Sequence, residues 1–222
     1  MTHVRFIVLV ATVLAPSAVR AETGLGTLEP LSVRVYDFGG ADSARLAHAL
    51  QDARAIFDDA GIASEWHDCT RRATPLSGFC GEPRQKRDLI VRILRRDEGR
   101  GDLPRALGVS VVESGRGVLA TVFLDLVEPV AGRTGAGLHT LLGRAIAHEV
   151  GHLVLGTNAH SATGLMREIW TDLELGRNDH RDWRFEPGER ALLREARLRL
   201  ARQAPAAPAP FDENLTDTNA AR

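Results

Sequence analysis

The run His148-Glu149-Val150-Gly151-His152 constrains this chain more than any other feature. Four-residue spacing stacks two imidazoles one turn apart on a helix, whereas a strand would hold them far apart on one face. The residues around the pair are apolar: Leu141, Leu142, Ala145, Ile146, Val150, Leu153 and Val154. A helix from about Leu138 to Leu155 is therefore predicted, apolar on most sides and closed by Gly156. Such a helix needs a core that surrounds it. The chain has 222 residues, 44% of them hydrophobic, enough for one ordinary domain built around that helix.

Two imidazoles so placed can reach one Zn²⁺ at about 2.0–2.1 Å. Glu149 directly follows the first histidine, where a carboxylate faces an attacking water and can serve as general base. Catalytic zinc takes three protein ligands and keeps one position open. Gly156 lets the chain leave the helix through a positive φ, and the return can bring His160 in as the third ligand. Met166, after Thr163-Gly164-Leu165, can form an apolar, polarisable floor beneath the histidines. Glu168 and Glu174 are the alternative third ligands.

The stretch HEVGHLVLGTNAH followed by SATGLM resembles the metzincin clan of zinc metallopeptidases, with its zinc helix, glycine turn, third histidine and methionine turn. The clan pattern is H-E-x-x-H-x-x-G-x-x-H. Here Gly156 comes one residue late and His160 two, giving H-E-x-x-H-x-x-x-G-x-x-x-H. A zinc helix running one residue further would absorb the first shift. A glutamate as third ligand would instead resemble the thermolysin-like clan. The resemblance implies peptide hydrolysis, with His148, His152 and His160 on Zn²⁺, Glu149 as base, Met166 and Gly156 as support, and a peptide or protein as substrate. It also implies a strand beside the cleft that pairs with extended substrate, in Ala106–Val112 or Gly117–Leu124. Some members place a tyrosine after the methionine; Tyr36 is the only tyrosine here, and Arg167 is the residue in that region that could replace it. A non-catalytic exported zinc-binding module of the same fold is the rival reading, although a mere binder has no need of Glu149.

The remaining chain reads as α+β. Leu31–Tyr36 alternates with period two, as a strand does. Asp42 or Ser43 can cap a helix in which Leu46, Ala49, Leu50, Ala53, Ile56, Phe57 and Ala60 recur, with Gly61 ending it. Strands follow at 62–66, 88–94, 109–112 and 118–124. Residues 97–106 read as a surface loop, 157–188 have little periodicity, and a final helix spans Glu189–Arg202. The expected fold is a small, mixed, twisted sheet with a long backing helix and the histidine-bearing helix, then a small C-terminal subdomain ending in a helix.

Residues 1–21 read as a signal peptide: Arg5 precedes an apolar run of about ten residues, half of a membrane span, and Val19-Arg20-Ala21 offers a cleavage site. The catalytic domain then spans 22–202, and 203–222 forms an Ala/Pro-rich tail expected to be disordered. A secreted or periplasmic location follows. It makes a Cys69–Cys80 disulfide the natural expectation, contributing about 2–3 kcal/mol. With 28 basic and 29 acidic residues, net charge −1, no global field favours nucleic acid or an anionic membrane. A monomer is expected, without membrane association once the signal is removed. His139, His48, His67 and His180 read as surface or helix-start residues, and Trp66, Trp170 and Trp183 as core.

Overall fold

The computed structural model describes residues 28–70, 78–85, 87–96 and 106–203. The expected signal peptide, the surface loop up to residue 105 and the Ala/Pro-rich tail lie outside the described residues.

Five strands form one sheet in the order β2-β1-β3-β5-β4. They are β1 (Leu31–Asp37), β2 (Ser64–Asp68), β3 (Leu89–Leu94), β4 (Gly108–Glu113) and β5 (Arg116–Phe123). β1, β2, β3 and β5 run parallel, and β4 returns antiparallel along β5. The sheet is thus mixed and the fold α+β. β3, at the centre, is buried almost throughout, which its apolar run Leu89-Ile90-Val91 favours, and β1 beside it buries Arg34 and Asp37 along with its alternating apolar residues. β4 lies on an edge. Its hairpin to β5 turns at Ser114 and Gly115, both with positive φ, the backbone twist that matches a two-residue hairpin.

Helix α1 (Ser43–Asp59) joins β1 to β2 and is capped by the Asp42 carboxylate, which accepts from Arg45 N–H at 3.1 Å. Its buried face, Leu46, Ala49, Leu50, Ala53 and Phe57, is the one the spacing predicts. A short helix, α2 (Gly78–Gly81), carries Cys80, whose disulfide to Cys69 ties it to the end of β2.

Two differences from the sequence reading have physical causes. β5 ends at Phe123, and Leu124 opens an unforeseen helix, α3 (Leu124–Thr134). Pro129 and Gly132 mask its signal, yet Leu124, Val127 and Ala131 are buried at helical spacing and Gly135 closes it in the left-handed region. Residues 157–188, without periodicity, still hold α5 (Asp172–Arg177) and a 3-10 turn at His180–Trp183. α5 is stabilised by a capping box between Thr171 and Glu174 rather than by an apolar stripe.

Helix α4 (Leu138–Leu155) matches its expected bounds and is buried continuously from Leu141 to Val154. It packs against α1, α3, β4, β5 and the last helix, α6 (Pro187–Gln203). Two glycines permit the closest approaches. A Cβ at Gly143 would stand 2.6 Å from the Ala49 carbonyl oxygen of α1, and one at Gly117 would stand 2.3 Å from Leu153 Cα. α4 therefore lies pressed between α1 and the β4–β5 hairpin. Leu193 and Ala196 of α6 share the same buried core, so the C-terminal segment is packed into the body of the protein. Among the described residues, no helix is long and apolar enough to cross a membrane.

Candidate metal centre

α4 places His148 and His152 on one face, with their Nε2 atoms 3.1 Å apart. Both rings are buried, and each is fixed from behind. His148 Nδ1 lies 2.9 Å from the Leu165 carbonyl oxygen, and His152 Nδ1 lies 2.8 Å from that of Thr157. A carbonyl oxygen only accepts, so both Nδ1 atoms carry the proton and both Nε2 atoms present lone pairs. Two such acceptors at 3.1 Å could both reach one cation. Two nitrogens on one tetrahedral zinc would sit about 3.3–3.4 Å apart, close to this spacing.

Burial also keeps these rings neutral, the form that ligates metal. It pushes the His148 imidazole down to about 4 and lowers that of His152 as well.

The third histidine arrives from outside the helix. Gly156 takes φ 69° at the C-cap, where its N–H bonds the His152 carbonyl. A Cβ there would stand 2.2 Å from the Gly115 carbonyl oxygen of the hairpin, so the turn needs glycine for space as well as for φ. The chain then folds back. The His160 ring centroid lies 4.8 Å from that of His152 and 5.4 Å from that of His148. One ligand atom from each of the three histidines lies within 4.8 Å of the others, a cluster that could hold a metal ion. His160 itself is exposed. Its loop is held by the next residue: Ser161 N–H donates to the Met166 carbonyl at 3.0 Å, and Ser161 Oγ donates to the buried Glu189 carboxylate of α6.

The two glutamates considered as alternative ligands stand outside this cluster. The Glu174 carboxylate closes the Thr171 capping box and lies 3.5 Å from Arg167. Arg167 is buried, donates to the Gly164 and Asp182 carbonyls at 2.6 and 2.8 Å, and stacks on the Trp183 ring. It anchors the C-terminal segment. Met166 is buried under α4, where a Cβ at Gly151 would meet its Sδ at 2.7 Å. The small residue between the two histidines is what admits the methionine. The methionine turn reverses at Gly164, φ 74°, against the Arg184 carbonyl oxygen.

Glu149 is buried beside His148, and burial pushes its carboxyl up to about 7. Its Oε2 lies 2.7 Å from Ser110 Oγ on β4. Sequence reasoning did not single out Ser110; only its place in the edge strand could have pointed to it. Trp170, read as core, is half-buried and meets His148 edge-on at 5.6 Å between ring centroids, with Trp183 behind it. Among the described residues, the other histidines lie outside the cluster. His139 pairs with Asp52 at 3.0 Å, His67 stacks on Phe79, and His180 is exposed.

Compared with protein-family models and with curated proteins, the chain matches none.

Proposed function

We propose that this chain is an exported zinc-dependent endopeptidase of metzincin-like architecture. The observation that carries this reading is the convergence of His160, eight residues beyond the helix pair, on His148 and His152, with Glu149 beside them. The donor set is three imidazoles, which suits zinc. Zinc held there would act as a Lewis acid, lowering the pKa of a water toward about 7 and polarising the scissile carbonyl.

The chain's own residues do the rest. The Leu165 and Thr157 carbonyls orient the ligand rings. Glu149, raised toward neutrality by burial, takes a proton from the attacking water and returns it to the leaving amine. β5 is interior, paired on both sides, so the open sheet edge beside Glu149 is that of β4. An extended peptide adding to β4 would place its backbone alongside the histidine cluster. The Cys69–Cys80 disulfide fits an oxidising compartment and supports the export reading.

A diverse peptide mixture incubated with the purified protein tests this. Cleavage that disappears with a chelator and with Glu149→Ala is expected. A folded, zinc-loaded protein that cuts nothing would contradict the reading and favour a zinc-binding module without catalysis.

A further inference from the structure

Gly108 and Ser110 stand two apart on β4, so both face α4. Together they enclose the Glu149 side chain. Ser110 Oγ lies 2.7 Å from Oε2 and 2.9 Å from the main-chain carbonyl oxygen of Glu149. The hydroxyl has one proton to donate, and the shorter contact directs it to the carboxylate when Glu149 is ionised, with the main-chain carbonyl as the second acceptor in reach. On the other oxygen there is no room for a side chain. A Cβ at Gly108 would stand 2.7 Å from Glu149 Oε1 and Cγ, and 2.9 Å from Cδ. The strand thus holds one carboxyl oxygen through a hydroxyl and packs its bare main chain at Gly108 against the other.

We propose that Ser110 is the positioning residue for Glu149, holding the carboxyl through Oε2 in the orientation in which it exchanges protons with the attacking water. This rests on the peptidase reading above. It also makes β4 the support of the base as well as a pairing edge, so a strand that binds substrate would steady the group that acts on it. General bases contribute about 10²–10⁴-fold, and a share of that depends on orientation.

The test compares wild type, Ser110→Ala and Ser110→Thr by steady-state cleavage of a peptide that wild type cuts, and by crystal structures of the zinc-loaded proteins. Expected is a kcat loss of about tenfold or more in Ser110→Ala with KM within about twofold, and recovery of most of it in Ser110→Thr, which keeps the hydroxyl. In the crystals, Glu149 should adopt one conformer in wild type and Ser110→Thr, and more than one in Ser110→Ala. Unchanged kcat in Ser110→Ala, equal losses in both variants, or one unchanged Glu149 conformer throughout would overturn the proposal. If wild type cuts nothing, the peptidase reading fails, and the conformer comparison still decides whether Ser110 positions Glu149.

Discussion

His148 and His152 reach the candidate metal centre by one route, and His160 by another. The helical pair is buried, spaced by the α-helix and anchored through Nδ1 to fixed backbone carbonyls. His160 is exposed and sits on a loop whose place depends on Gly156 and on Ser161 held by Glu189 of α6. Helix geometry sets the spacing of the first two candidate ligands, which the Leu165 and Thr157 carbonyls then orient, whereas the placing of His160 depends wholly on contacts outside the helix. The C-terminal segment therefore has a task beyond covering the core: it holds the loop that carries His160 beside the helical pair.

The contrast breaks most severely at the helical pair. His152→Ala should abolish chelator-sensitive cleavage and weaken zinc binding by more than the 10–100-fold typical of losing an outer partner, checked by competitive zinc titration. Glu149→Gln should keep zinc and lower kcat by about 10²–10⁴-fold, which zinc content and kinetics on one sample would separate. His160→Ala should weaken zinc clearly but leave the melting temperature of the metal-free protein near wild type, because its ring is exposed. The same change at His148 should lower both. Ser161→Ala sharpens the comparison further. It should cost about tenfold or more in zinc affinity with little loss of fold, as an outer partner would. Equal affinity in Ser161→Ala and wild type would show that α6 does not set the third ligand.

A smaller effect concerns pH. In the metal-free protein the Glu149 carboxyl is pushed from 4.5 up to about 7, so the folded state holds the proton more tightly than the unfolded chain. Its neutral form adds stability that is fully present below about 4.5 and is lost as pH rises through about 7. Glu149→Gln should accordingly melt higher than wild type at pH 8 in the presence of chelator, with the gap closing toward pH 4.5. His148 has the opposite sign. Its folded value of about 4 lies below 6.5, so metal-free stability should fall as pH drops from about 6.5 toward 4.

The sequence made α1 and α4 legible because each carries a long apolar pattern with punctuation at its ends, Asp42 and Gly61 for one, Gly156 for the other. The histidine pair was legible because i,i+4 spacing on a helix is sufficient geometry. His160 was harder: α4 running to Leu155 before Gly156 turns the chain absorbs one of the two residues by which it departs from the clan spacing, and the other falls in the loop between Gly156 and His160. α3 was hidden by Pro129 and Gly132, and α5 by its dependence on a cap. Ser110 and Gly108 fell within a strand expected beside the cleft, but nothing in the sequence tied them to Glu149. Their roles arise from β4 lying against α4, a contact between segments about 40 residues apart that no local pattern encodes.

The central claim is that three histidines from two structural origins share one metal. Zinc-edge X-ray absorption on the zinc-loaded protein, beside His160→Ala, tests it most directly. Three imidazole nitrogens at about 2.0–2.1 Å in wild type and two in the variant are expected. A wild-type site with only two imidazoles, or the same number in both proteins, would contradict it.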